Sequence, residues 1–302
     1  MQRRGIEHVH ALVRRVLKYA VAKGDCTRNP TDGATIPKPN VRAEITNTQV
    51  VRSVGKVSSL SEDQEARFLA AAKNDRLSAL WHLLLDAGLR PGEAFALQLK
   101  PNSPQGSVDV QNKQVMVRGT LVRVGVDKKK RGWIVTEPKT ENSVGDVPIN
   151  DFTVWQIKLW LQRRQEEKKR AGDAWHEHGF LFCTEVGTPL GNNMGRIWMR
   201  LMREADGGKG DLGTWGSAPK RKGKHGPQPE QTFTPRFSMY VLRHTMITLG
   251  YKNGMDLPLL SRRARHSKFA FTFDRYGKDV KARDTQAVAE NTQRRWQSAS
   301  ES

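Results

Sequence analysis

Two arginines, a lysine, a histidine and a tyrosine stand out because each falls where the chain turns a corner. They lie in AGLRPGEAFAL (87–97), EPKTENSVGDVPI (137–149), YVLRHT (240–245) and RARHSKFAFTFDRYGK (263–278). Breaking a phosphodiester through a covalent protein intermediate requires a nucleophile, positive charge on the phosphate and an acid for the leaving oxygen. These side-chain types could supply all three, and the fixed fork of a guanidinium suits phosphate oxygens. By itself TFDRYGKD (272–279) leaves Tyr276 open between a helix-end aromatic packed on a core and a nucleophile. Phe271 and Phe273 are the better candidates for the buried face, and Gly277 reads as a helix C-cap that leaves Tyr276 at an exposed end.

Such chemistry needs a polyanionic partner, and the composition agrees. Lysine and arginine outnumber aspartate and glutamate 51 to 31 over 302 residues, a net charge of +20. That balance favours nucleic acid ahead of an acidic membrane surface; a merely soluble basic protein is the rival reading. The clusters at Lys128, Lys129 and Lys130 and at Lys220, Arg221 and Lys222 could touch phosphates or could be solvated turns. Only Cys26 and Cys183 occur, so no disulfide framework or cysteine-rich zinc site is implied, and a reducing cytoplasmic setting fits. His176 and His178 are a weak metal signal, and no metal is expected. The chain contains no apolar run of about 18 residues that would cross a membrane. Its start, MQRRGIEHVH, lacks the apolar core of a secretory signal.

The elements that must position these corners are mostly helical. Ile6, Val9, Val13, Val16 and Ala20 have helical spacing, and Gly24 stops the helix. That stripe must pack on something else. Residues 31–57 read as a linker. Ser61 with Gln64 is a capping box that starts a new helix; Leu77, Leu80, Trp81 and Leu84 define the next, ended by Gly88. Pro91 suits the first turn of another, which puts Arg90 at a helix-to-helix corner. Between 107 and 149 the pattern becomes Val-rich and alternating, predicting one small antiparallel sheet. Val154, Ile157 and Leu161 mark a long helix, and a further helix follows at about 192–205. Residues 206–231 read as one long Gly-, Lys- and Pro-rich loop, disordered or functional. Met239, Leu242, Met246 and Leu249 form the stripe of a helix carrying Arg243, and DLPLLSRRARHS and FAFTFDRYGK read as two short helices around a turn. The fold class is α+β.

Taken in order, the four corner motifs resemble the tyrosine recombinase family, the phage-integrase-like site-specific recombinases. That family shows an arginine in a GLRxGE-like corner, a lysine on a β-hairpin, an HxLRHT-like helix, then a GH turn with a tyrosine about ten residues on. The resemblance covers residues 58–278 and implies a mostly helical catalytic domain with a small antiparallel β-sheet. It also implies the roles. Tyr276 attacks the scissile phosphate to give a 3′-phosphotyrosine and a free 5′-hydroxyl, with Arg90 and Arg243 as the guanidinium clamp. Lys139 protonates the leaving oxygen, and His266 bonds the phosphate. Glu93 either orients the clamp or is an ordinary helix-start carboxylate. Lys139 is preferred over Lys128, Lys129 and Lys130, which read as a solvated turn and, with Lys220, Arg221, Lys222, Arg262, Arg263 and Arg265, as DNA contacts. No cofactor is implied. The implied partners are double-stranded recombination sites, a homotetramer on DNA and accessory DNA-bending proteins, in a bacterial or phage setting at the nucleoid.

The sequence departs from the family pattern in three places. Tyr240 stands where the family most often has histidine or lysine, and a phenol brings no positive charge. Arg265 replaces the usual glycine before His266. At the front, RVLKYAVAKGDCTRNP looks like the last helix and exit turn of a core-binding domain. Residues 1–46 therefore read as a remnant of that domain with its linker and 47–302 as the catalytic domain, with DNA affinity and site selectivity expected below those of a two-domain relative. Two other functions remain open: a non-catalytic sequence-specific DNA-binding protein on the same fold, and DNA relaxation of the type IB topoisomerase kind.

Overall fold

The computed structural model describes residues 3–36, 59–125, 132–137, 144–191, 193–217 and 231–265. The chain divides into two units, Met1–Val54 and Gly55–Ser302. In the first, helix α1 (Arg3–Lys23) ends before Gly24, which takes φ +83°. The following turn is tied back by Arg14, whose guanidinium meets Asp32 at 3.0 Å and whose carbonyl accepts from Asn29. The stripe Ile6, Val9, Val13 and Val16, expected to pack on another element, is exposed.

The second unit is built on helices. Helix α2 (Glu62–Ala72) starts at the Ser61–Gln64 capping box, both halves of which form. Helix α3 (Ser78–Ala87) is buried on nearly every side, as its run of leucines requires. It packs against α5 (Asp151–Ala171) and α7 (Tyr240–Lys252), while α2 packs on α6 (Met194–Asp206). Phe68, Trp81 and Trp198 meet at the centre, with ring centroids 5.4–6.1 Å apart. The short α4 (Pro91–Ala96) follows α3, and α8 (Leu257–Arg263) packs on α7.

The single sheet expected from 107–149 is two. Strands β1 (Gly106–Asp109), β2 (Gln114–Val117) and β5 (Gly145–Pro148) form one antiparallel sheet in the order β1-β2-β5, while β3 (Thr120–Val124) pairs with β4 (Gly132–Thr136) in a second. The break falls at Gly119, where a Cβ would come within 2.6 Å of Val135, so the chain crosses between sheets where only glycine fits. Lys139 falls in sequence between β4 and β5, outside the described residues.

The stretch read as one loop from 206 to 231 contains one strand and ends on the first residue of another. Strands β6 (Gly213–Ser217) and β7 (Gln231–Pro235) pair antiparallel, with Trp215 opposite Phe233. Buried Asp206 holds the base of this hairpin, accepting from the backbone of Gly210 and Leu212 and from the Trp215 indole. Burial by itself would raise its pKa; those donors outweigh burial and lower it. The signal was the alternation in QTFTP, overshadowed by the Gly-, Lys- and Pro-rich run before it.

Candidate active site

Arg90 sits between α3 and α4 with extended backbone, as the N-cap of α4. It has no short polar side chain to cap the helix, and Glu93 takes over part of that task. One Glu93 oxygen accepts from the Arg90 backbone N–H at 2.8 Å, the reach-back that a glutamate makes in a capping box. The other accepts from the Arg90 guanidinium at 2.6 Å. Glu93 is buried, 2% exposed, while the Arg90 side chain keeps 31% of its surface open. The carboxylate thus fixes the guanidinium from behind and leaves its outer edge to solvent.

Arg243 lies in the first turns of α7, and its side chain is buried. It donates to the carbonyl of Gly88 at 2.7 Å and to the carbonyl of Ala264. Those are the C-cap residues of α3 and α8, so a single cation stands at the negative ends of two helices. Gly88 is constrained twice over: it takes φ +58°, and a Cβ would come within 2.0 Å of Met246.

Arg265 follows Ala264 and takes φ +52°, the left-handed region. Its guanidinium reaches Glu93 at 2.5 Å, and its stem lies on Gly145, where a Cβ would come within 3.1 Å of Arg265 Cδ. Burial lowers the Arg265 pKa, Arg90 adds to that and Glu93 opposes it; the guanidinium remains charged. The contacts close a circuit from Arg243 to Gly88, Arg90, Glu93, Arg265, Ala264 and back. Sequence motifs had suggested Glu93 but not its second partner, for which no local pattern exists.

Two basic residues expected on the DNA-facing surface are turned inward. Arg265 is held by Glu93, and Arg263 donates to the carbonyl and carboxylate of Asp86, both at 2.8 Å. Each pairs with a partly or fully buried carboxylate; Arg265 is itself buried, while Arg263 keeps 18% of its side-chain surface open. Arg262 is exposed, and so is Tyr240 at the start of α7. Lys139, His266 and Tyr276 lie outside the described residues, as do Lys128, Lys129, Lys130, Lys220, Arg221 and Lys222. Among the described residues no cluster of metal-ligating side chains occurs, and no helix is long and apolar enough to cross a membrane.

An α+β domain with an arginine at an interhelical corner, a second on a central helix and strands between them has the architecture of a tyrosine recombinase catalytic domain. Comparison with known proteins agrees. No family model matches. The chain is 25% identical over 291 residues to a tyrosine recombinase XerC-like protein of Caldanaerobacter subterraneus subsp. tengcongensis, covering 94% of this chain and 64% of that one. It is 26% identical over 284 residues to an integrase of Streptomyces ambofaciens, covering 92% and 61%. The chain thus spans less than two thirds of the length of these relatives. Its fold matches the Tn1549 transposon integrase in complex with transposon right end DNA, at TM-score 0.63 and 19% identity over 96% of this chain and 80% of that one. A second structure of that integrase, with a circular intermediate DNA, matches at TM-score 0.61. In sequence the chain is thus similar to tyrosine recombinases and integrases, and in fold to the catalytic region of a transposon integrase.

Proposed function

We propose that this chain cuts and rejoins DNA at specific sites through a 3′-phosphotyrosine intermediate, serving integration or excision of a mobile element. The observation that supports this most is the circuit around Glu93. It anchors Arg90 and Arg243, far apart in sequence, to one α3–α4 corner and leaves the Arg90 edge open.

In this reading the Tyr276 oxygen forms a bond to phosphorus as the bond to the 5′ oxygen breaks. Lys139 gives a proton to that oxygen, and His266 bonds the phosphate and helps take the tyrosine proton. Arg90 and Arg243 stabilise the charge gathering on the non-bridging oxygens. Rejoining is the reverse, with an incoming 5′-hydroxyl attacking the phosphotyrosine and the phenol leaving. The covalent linkage conserves the phosphodiester energy, so no nucleotide need be hydrolysed. The working assembly is a homotetramer on paired sites, with DNA-bending proteins as accessory partners.

The test uses a pool of nicked suicide duplexes randomised around the nick. Wild type should give a denaturation-resistant protein–DNA band that disappears in Tyr276→Phe and weakens sharply in Arg90→Ala and Arg243→Ala. Binding without a band favours a non-catalytic DNA-binding protein. Supercoil relaxation independent of sequence favours the topoisomerase reading. A band that survives Tyr276→Phe removes the central assignment.

A further inference from the structure

We infer that Arg265 is a positioning residue for strand breakage: its buried guanidinium holds the Glu93 carboxylate and so keeps Arg90 oriented and available to the phosphate. The inference rests on the function proposed above.

Three observations carry it. First, Arg265 occupies a left-handed turn that glycine adopts freely and a residue with a Cβ disfavours, so the side chain sits there against a local cost. Second, that side chain is not spent on general hydrogen bonding. Its Nε has no partner among the described residues, and the contact of its Nη1 with the Arg263 carbonyl is long at 3.4 Å. The one short bond goes to Glu93. Third, the stem rests on Gly145 at the start of β5, so one side chain links the turn before His266, the edge of the segment holding Lys139 and the corner holding Arg90.

Electrostatics give the link its purpose. Glu93 with Arg90 alone would be a neutral pair, and the buried carboxylate would draw the guanidinium inward. With Arg265 as a second partner the carboxylate is already neutralised, and the trio carries one net positive charge toward the open edge of Arg90. Removing Arg265 weakens catalysis while the turn itself becomes easier to form.

The experiment uses the full chain and compares wild type, R265G, R265K, E93Q and E93Q/R265G. It reads the single-turnover rate of adduct formation on the nicked duplexes, DNA affinity by anisotropy at matched salt, and the thermal midpoint. R265G suits the left-handed turn and should fold. It should bind DNA nearly as wild type does and form adduct roughly ten- to a hundredfold more slowly, the scale of a misplaced catalytic group. R265K should recover most of the rate, and adding R265G to E93Q should change little. The role of Arg265 is overturned if R265G reacts at the wild-type rate, if its rate, affinity and thermal midpoint fall in step, or if its effect multiplies fully with that of E93Q. A wild-type chain that forms no adduct overturns the functional reading itself, a different outcome from a wild-type adduct with R265G unaffected.

Discussion

The Arg243 guanidinium donates to the carbonyl of Gly88 at 2.7 Å, so the second arginine of the site caps the helix that leads into the first. The two arginines are therefore not independent. Whatever moves the end of α3 moves Arg90 and loosens Arg243 together.

Gly88→Ala should show this coupling. The added methyl meets Met246 Cε at 2.0 Å and forces a non-glycine residue to φ +58°. We expect a loss of about 1–3 kcal/mol in urea denaturation, with adduct formation falling further than that loss explains. Met246 is a flexible neighbour, so Gly88→Ala/Met246→Ala should relieve the clash but leave the backbone cost. Complete recovery would show that the left-handed turn carries no strain.

Acid stability should depend on Glu177. Burial tends to raise its pKa, but Lys168, the Gly179 N–H, Trp175 and Arg164 together lower it from 4.5 to about 2. The folded protein thus holds this carboxylate ionised where the unfolded chain protonates it. Its contribution is complete above about 4.5 and is lost as the pH falls toward about 2. The urea midpoint of Glu177→Gln should be lower than that of wild type at neutral pH and should converge on it through this window. Parallel curves at all pH values would remove Glu177 from the acid transition.

The base of the β6–β7 hairpin should be sensitive to a single N–H. Trp215 donates to Asp206 at 2.8 Å and stacks near Phe233, 5.1 Å between centroids. Trp215→Phe keeps a ring and removes the donor, which should cost about 1.5–3 kcal/mol for a bond to a charged acceptor. Limited proteolysis should then open the chain near the hairpin before the core. Unchanged cleavage sites and an unchanged urea midpoint would show that Asp206 is held by the backbone donors alone.

Tyr240 tests how near α7 comes to DNA. It is 47% exposed at the helix start. Tyr240→Lys adds a charge there and should steepen the dependence of log affinity on log salt by about 0.9, the contribution of one phosphate contact. An unchanged slope would place residue 240 away from the DNA backbone.

Local patterns in the sequence determined a good deal. The Ser61–Gln64 capping box, the stop at Gly88, Pro91 at the start of α4 and the presence of helices α5 and α7 follow from interactions within a few residues, which is why they could be read one segment at a time. The corner motifs also marked Arg90, Glu93 and Arg243 as residues worth placing. Strand pairing was less legible: the split at Gly119 and the pairing of β6 with β7 depend on what lies across from each strand.

Only the tertiary structure showed which carboxylates Arg263 and Arg265 pair with. Sequence counts arginines as equal charges, and on that footing Arg263 and Arg265 belonged with the DNA contacts. Folding puts Asp86 beside one and Glu93 beside the other, and a buried carboxylate takes the nearest guanidinium because leaving it unpaired is costly. The same contacts leave Arg90 with an open edge. Which cations remain for a phosphate is a property of the packed molecule, set by carboxylates that the chain brings in from far away.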